Sequence, residues 1–318
     1  MRILLTGGSS FTGLWFARAL SEAGHEVHAT LTRPGVGDYE GLRRGRVDLL
    51  SGIASLHGDR RFGEPAFLDL LRRGGPWDLL CHHGAEVTDY RSEDFDAVAA
   101  LARNAHELPD VIAALGEAGG RGLVLTGSIF EPGEGDEGVE AVAFNPYGLS
   151  KGLTFDVFRH YCRRDGLPLG KFVIPNPFGP WEEPRFTSYM ANAWRQGESP
   201  EVRTPDYLRD NIHVDLLARV YGGFCAEVAA TDAPLSRRNP SGYAETQGAF
   251  AQRLARELER RGWPAPATVP CAEQTEFPEP RRRVNGESAA ALCPDWDEAR
   301  AWDDLAAWYG ATFGEAGP

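Results

Sequence analysis

The stretch Arg2-Ile3-Leu4-Leu5-Thr6-Gly7-Gly8-Ser9-Ser10-Phe11-Thr12-Gly13 decides the fold. Arg2–Thr6 is a short apolar run that reads as a strand. Thr12–Ala23 sets Phe16, Ala17 and Leu20 on one face and meets Gly24 as its stop, so it reads as a helix. The turn between them is rich in glycine. Gly7 can make the tight bend, and Gly13 can let the helix pack close to the strand. A dinucleotide pyrophosphate needs close backbone approach and the free N–H groups of a helix N-terminus, and this turn offers both. An ordinary βα turn is the alternative. The position directly between a strand and a helix favours the phosphate reading.

Outward from there the pattern repeats. Glu26–Thr30 reads as a second strand and Ile53–His57 as a weaker third. Trp77–His82 and Arg121–Thr126 follow as the fourth and fifth, each after a helical stretch. Leu167–Ile174 follows a long helix over Pro146–Asp165 and is the expected sixth. Strands alternating with helices imply a parallel sheet covered on both faces, with right-handed crossovers. The predicted class is therefore α/β, a Rossmann-type doubly wound sheet. After about Pro175 the pattern loosens, and Pro- and Gly-rich clusters separate shorter elements. Helical patterns stand out at Ala244–Arg261 and Asp297–Phe313. The expected division is a nucleotide-binding domain over 1–175, with a return segment near 207–238, and a smaller substrate-binding lobe over 176–318. Gly133–Gly138 reads as a short acidic loop.

Composition narrows the function classes. The chain has 318 residues, a net charge of −13 and an ordinary 42% of hydrophobic residues. An acidic chain is a poor general binder of nucleic acid, which needs a basic surface. A few local arginines could still hold an anionic substrate. Cys81, Cys162, Cys225, Cys271 and Cys293 are odd in number and form no CxxC pair, which suggests reduced thiols in a cytoplasm. The apolar N-terminal run is too short for a signal peptide, and no stretch approaches the roughly 20 apolar residues of a membrane span.

Cofactor choice should be written at the end of the second strand. An acid there would hold the ribose 2′-hydroxyl of NAD. The chain instead reads Thr30-Leu31-Thr32-Arg33-Pro34. Thr32 and Arg33 can hold a 2′-phosphate, which leans the expectation to NADP over NAD, with a solvated loop arginine as the alternative. Asp59, after the third strand, could accept from the adenine amino group or sit in a turn.

Tyr147-Gly148-Leu149-Ser150-Lys151 opens the long helix, and its i, i+4 spacing puts Tyr147 and Lys151 on one face. A free phenol has a pKa of about 10. A neighbouring ammonium and a cationic nicotinamide both favour the phenolate. Tyr147 can then take a proton from a substrate hydroxyl as hydride leaves. Lys151 can also reach the nicotinamide ribose. Ser128, just past the fifth strand, emerges where ligands of such sheets bind and can orient the reacting oxygen.

The segments TGGSSFTG at 6–13, CHHGA at 81–85, Asn104, TGS at 126–128, YGLSK at 147–151, NPFGP at 176–180, RDNIHV at 209–214 and NPSG at 239–242 stand in an order that resembles the extended short-chain dehydrogenases, the sugar-nucleotide epimerase/dehydratase family. The resemblance covers nearly the whole chain. It implies a Rossmann cofactor domain and a C-terminal substrate lobe. It implies Ser128, Tyr147 and Lys151 as catalytic. Gly7, Ser9, Ser10, Phe11, Thr12, Gly13, Thr32, Arg33, Asp59, His83 and Lys151 are then expected at the cofactor. Asn176 is expected near the substrate and Arg209 on its diphosphate, a role that suits bidentate guanidinium contacts. Asn104 is implied to hold a water near the site. A homodimer is implied through helices such as Asp94–Leu108 and Pro146–Asp165.

Three departures from the family pattern matter. Ser10 replaces the middle loop glycine; its Cβ crowds the pyrophosphate, though its hydroxyl could donate to it. Pro132-Gly133 replaces Tyr-Gly. Ile129-Phe130 follows Ser128 where dehydratases carry an acid, and Glu131 comes one step late. Elimination of water needs a separate acid and base, so the expectation moves towards a C4 epimerase working through a 4-keto intermediate. An NADPH-dependent ketoreductase of a 4-keto sugar nucleotide is the alternative. A 4,6-dehydratase and a non-catalytic cofactor sensor rank below. His82-His83 finds no converging ligands, so no metal is expected. Asp89 could line the substrate cleft or start a helix. Arg281, in the run Arg281-Arg282-Arg283, could close on the diphosphate or be solvated.

Overall fold

The computed structural model describes residues 1–135 and 142–314. The Asp136–Gly138 end of the acidic loop lies outside the described residues. The chain divides into two compact units, one of Met1–Ile174 with Ala218–Asn239, the other of Pro175–Leu217 with Pro240–Pro318.

In the first unit the order is β1 (Arg2–Thr6), α1 (Phe11–Glu22), β2 (Glu26–Thr30), α2 (Gly41–Ser51), β3 (Ser55–His57), α3 (Pro65–Gly74), β4 (Leu79–His82), α4 (Ala97–Asn104), α5 (Leu108–Glu117), β5 (Gly122–Ser128), α6 (Pro146–Arg164) and β6 (Leu169–Ile174). The chain then passes through β7 (Asn176–Phe178), α7 (Phe186–Arg195) and β8 (Leu208–His213) of the second unit. It returns along α8 (Val214–Ala230) to β9 (Leu235–Arg238).

The described strands of the first unit form a seven-stranded sheet in the order β3-β2-β1-β4-β5-β6-β9. Every pairing is parallel. The order reverses between β1 and β4, the crevice where doubly wound sheets hold ligands. Both faces are buried, which is why β5 is buried at every position. On one face Trp77, Phe67, Leu115 and Phe158 fill the core. On the other, Phe16 of α1 stacks flat on Tyr221 of α8 at 3.9 Å.

The structure corrects several expected elements. The helix read over Asp94–Leu108 is shorter, Ala97–Asn104, because Asp96 caps its start and the chain turns left-handed at Glu107, φ 45°, before α5 begins at Leu108. The strand read over Arg121–Thr126 runs on, so Ser128 is its last residue. The helix read from Ala244 starts only at Gln247, since Tyr243–Thr246 pair with β8 as a strand.

The second unit is built on β8. It pairs in parallel with β7 and antiparallel with a strand at Tyr243–Thr246. In chain order its later elements are β10 (Pro240–Ser241), β11 (Tyr243–Thr246), α9 (Gln247–Glu259), β12 (Arg282–Arg283), β13 (Glu287–Ser288), α10 (Ala289–Leu292) and α11 (Glu298–Phe313). Helices α7, α9 and α11 pack Trp194, Phe250, Leu254, Trp302 and Tyr309 into a separate core.

Candidate active site

The glycine-rich turn has the shape its sequence requires. Gly7 sits at φ +74°, where a Cβ would lie 2.7 Å from Gly84 N. A Cβ on Gly13 would collide with Gly7 O, so α1 can lie this close to the turn only with glycine there. Phe11 and Thr12 open α1 and carry the free N–H groups of its positive end, with Ser9 just before them. These residues fit a dinucleotide pyrophosphate. Ser10 behaves differently from the expectation. Its hydroxyl donates to Gly7 O at 2.8 Å and accepts from Gly13 N at 3.1 Å. Its oxygen also lies 3.0 Å from His83 Nε2, so Ser10 shapes the loop as a helix cap.

His83 lies beneath the turn. Its Nε2 is 3.0 Å from Ser10 Oγ and 2.9 Å from Thr12 Oγ1, and its Nδ1 is 3.1 Å from Thr126 Oγ1. Burial and the Lys151 ammonium lower its pKa to about 3, so the ring is neutral. His82 is a satisfied core histidine, between Thr6 Oγ1 at 2.9 Å and Asn104 O at 3.1 Å, and stacked on Phe62. Asn104 is buried and accepts from Glu86 N at 2.8 Å.

The catalytic candidates come from β5 and α6. Asn145 caps α6 by accepting from Gly148 N at 2.7 Å, and Pro146 occupies its first turn. A side chain on Gly148 would strike Phe130 O, so glycine lets α6 press against the turn that follows Ser128. Tyr147 is partly exposed, its ring edged by Tyr90, Phe95 and Phe130. Lys151 is buried and donates to Thr126 O at 2.7 Å. Burial lowers its pKa, Glu131 raises it, and Lys171 lowers it. Ser128 Oγ accepts from Phe130 N at 3.2 Å.

Glu131 is buried and engaged within the protein. One carboxylate oxygen accepts from Ser128 N at 2.7 Å, and the other meets Lys171 Nζ at 2.6 Å.

At the other end of the crevice, the loops after β2 and β3 are laced together. Leu31 N donates to His57 O, Asp59 N to Arg33 O and Arg60 N to Leu31 O. Asp59 sits at φ 53° and is exposed, as are Thr32 and Arg33. Arg33 donates to Asp38 O at 2.7 Å. Asp89, also at φ 53°, lines a recess with Glu86, Thr88 and Asp94.

In the second unit, Asn176 Nδ2 donates to Asp210 O at 3.0 Å. Arg209 is buried, lies 4.0 Å over the Tyr207 ring, and pairs with Glu279 at 3.1 Å. Burial and Arg283 lower its pKa to about 10, against the pull of Glu279, so it stays charged at neutral pH. Arg283 shares Glu279 at 2.7 Å. Arg281 is exposed, with its guanidinium 3.8 Å over Phe277.

The sequence model of the NAD dependent epimerase/dehydratase family matches residues 3–236. The chain belongs to that family. It is an NAD-dependent enzyme of the extended short-chain dehydrogenase type. No curated protein matches the sequence. Among solved structures it is similar to a dTDP-glucose 4,6-dehydratase from Streptomyces venezuelae, with 18% identity over 98% of this chain and 97% of the other and a TM-score of 0.72. It is equally similar in fold to a UDP-glucose 4-epimerase from Thermotoga maritima, with 15% identity over 99% and 100% of the two chains and a TM-score of 0.72. A UDP-glucose 4-epimerase from Stenotrophomonas maltophila matches at 18% identity, 98% coverage of each chain and a TM-score of 0.72. At such identities the likeness carries the fold alone.

Within this epimerase/dehydratase chain, sequence reading overlooked four residues around the site. Thr126 takes part through both its hydroxyl and its carbonyl. Arg46 is buried on α2 and donates to Ser9 O at 3.1 Å, which sets a guanidinium against the phosphate turn. Lys171 and Glu134 pair behind β5 at 2.7 Å. The detectable signal for Lys171 was a charge inside the apolar run LGKFVI. Among the described residues no group of three or more potential ligands could hold a metal, and no helix is long and apolar enough to cross a membrane.

Proposed function

We propose that the chain is a sugar-nucleotide epimerase acting at C4 of the sugar through a 4-keto intermediate. The observation that carries this reading is the engagement of Glu131. A dehydratase needs a carboxyl group beside the catalytic Ser to pass protons during loss of water. Here the nearest acid is turned into the sheet and held by Lys171 and Ser128 N. The remaining groups, Ser128, Tyr147 and Lys151, suffice for reversible oxidation at one carbon.

Bound NAD(P) supplies the hydride acceptor and donor. Tyr147 removes the proton of the C4 hydroxyl, and Ser128 donates a hydrogen bond to the same oxygen. Lys151 favours the phenolate by its charge. After the keto sugar turns its other face, Tyr147 returns the proton. Asn176, Arg209 and Arg281 are the proposed contacts of the nucleotide sugar, with Asp89 at the cleft edge. A homodimer through α4 and α6 is part of the proposal, supported by the exposed Val98, Leu149 and Leu153 on those helices.

Arg33 favours a second reading, an NADPH-dependent ketoreductase. Its exposed guanidinium follows a strand end that has no acid, an arrangement suited to a 2′-phosphate. A reductase consumes roughly one NADPH per product, whereas an epimerase leaves the cofactor unchanged. The test is Tyr147→Phe. Interconversion of C4 epimers should fall by about 10²-fold or more, while cofactor affinity stays within about twofold. Turnover that survives the substitution overturns the mechanism.

A further inference from the structure

Of the 33 lysines and arginines in this chain, only residues 151 and 171 are lysine. Everywhere else the chain places arginine, the cation that keeps its proton in almost any setting. Both lysines are buried, and both flank the end of β5. Lys151 Nζ donates to Thr126 O. Lys171 pairs in register with Leu125, and its Cε would lie 3.0 Å from a Cβ on the next glycine, Gly127.

Lys171 is the hub of a buried ionic cluster. Its ammonium meets Glu131 at 2.6 Å and Glu134 at 2.7 Å, and lies 4.0 Å over the Phe155 ring. Glu134 also pairs with Arg237 of β9 and accepts from Asn239 at 3.0 Å. Two carboxylates thus face two cations. Such a cluster is dear to desolvate, and replacing it with apolar residues would often be neutral for stability. Its location suggests a different role. Glu131 holds Ser128 by both ends of one turn, accepting from Ser128 N while its own N–H donates to Ser128 O at 3.0 Å.

We propose that Lys171 and Glu131 are positioning residues that fix the Ser128 turn and set the electrostatic field at Lys151. Lys151 is faced by His82 at the end of β4 and His83 just after it, by Glu131 from the turn after β5 and by Lys171 from β6, and it shares α6 with Tyr147. Both histidines are held neutral. Among the described residues, Glu131 raises the Lys151 pKa and Lys171 lowers it, beside the larger lowering by burial. An arginine at 171 would bring a broad fork into the space beside Gly127 and the Phe155 ring. A lysine brings a compact point charge.

The inference rests on the epimerase reading only for the meaning of Ser128 and Tyr147, and its test does not need turnover. With two lysines in the chain, protein labelled with carbon-13 at the lysine side chain gives two resonances. These are titrated with cofactor bound. Glu131→Gln keeps an acceptor for Ser128 N and leaves Lys171 paired with Glu134, so it preserves the fold. It should lower the Lys151 midpoint by about half a pH unit or more. Lys171→Met should raise it by a similar amount. If substrate turns over, the acid limb of the rate profile should move down in the first variant and up in the second, following Tyr147. A folded Glu131→Gln protein whose Lys151 midpoint is unmoved overturns the proposal, whatever Lys171→Met does. Shifted midpoints with no epimerisation would leave the proposed field intact and count against the epimerase reading alone.

Discussion

His83 Nδ1 lies 3.1 Å from the hydroxyl of Thr126, the residue whose carbonyl oxygen receives the Lys151 ammonium. The same ring touches Ser10 and Thr12 on its far side. One neutral imidazole therefore ties the glycine-rich turn to the strand that ends at Ser128. His83→Leu removes that tie and should weaken NAD(P) binding by about tenfold, or about 1.4 kcal/mol, by isothermal titration. The histidine also bears on acid stability. Its folded pKa of about 3 lies below the ordinary 6.5. The unfolded chain therefore binds the proton more readily, and stability is lost as pH falls from 6.5 towards 3. The variant should lose less of its melting temperature between neutral pH and about pH 4 than the parent does, with His82 still contributing its own share.

Gly13→Ala tests the close approach of α1. The added methyl would meet Gly7 O and stand 2.8 Å from Ser10 Oγ. Either α1 shifts or the turn opens. We expect a loss of roughly 1–3 kcal/mol in unfolding free energy, as for overpacked cores. Cofactor affinity should fall along with it. An alanine protein with unchanged melting and binding would contradict the packing described.

Glu182 should give the second unit a pH dependence of the opposite sense. Its carboxyl is buried, donated to by Thr187 at 2.6 Å and Tyr309 at 2.7 Å, and burial raises its pKa from 4.5 to about 7. The folded chain holds this proton more tightly, so stability falls as pH rises from about 4.5 to about 7 and then levels. Glu182→Gln mimics the protonated form. It should match the parent near pH 4 and exceed it above neutrality by roughly 3 kcal/mol at most. Denaturant unfolding at the two pH values reads the difference.

Glu279 occupies the guanidinium groups proposed for a diphosphate. It pairs with Arg209 and Arg283 but is itself 44% exposed. An incoming diphosphate must displace it or be repelled by it. Glu279→Gln should therefore tighten binding of a nucleoside diphosphate several-fold, with a steeper salt dependence. Weaker binding in the variant would mean that the carboxylate helps to aim the arginines, and that Arg209 does not receive the phosphate directly.

The alternation of strands and helices was legible because the buried strands are short β-rich runs separated by helical patterns. RILLT and LLCH are mostly apolar, and EVHAT alternates Val27 and Ala29 with polar residues. Helix α2 was not legible, since GLRRGRVDLLS carries three arginines and buries only Arg46, Val47 and Leu50. The break at Glu107 was hidden because a left-handed glutamate has no sequence mark. Ala244–Thr246 reads as the start of a helical pattern, but tertiary pairing with β8 overrides that preference. In the candidate site, the i, i+4 spacing of Tyr147 and Lys151 was legible because both lie on α6. Glu131 was not, because its direction depends on Lys171, forty residues later in the chain and joined to it only across β5 and β6.

The first unit is written in two instalments. Its seventh strand and the helix bearing Tyr221 arrive only after some forty residues of the other unit have been made. While the nascent chain is shorter than Asn239, the β6 edge stands open and Glu134 lacks its Arg237 partner. During that interval an unprotected strand edge invites pairing with other chains. Translation speed through residues 175–239 and chaperone occupancy there should then govern how much soluble enzyme a cell obtains.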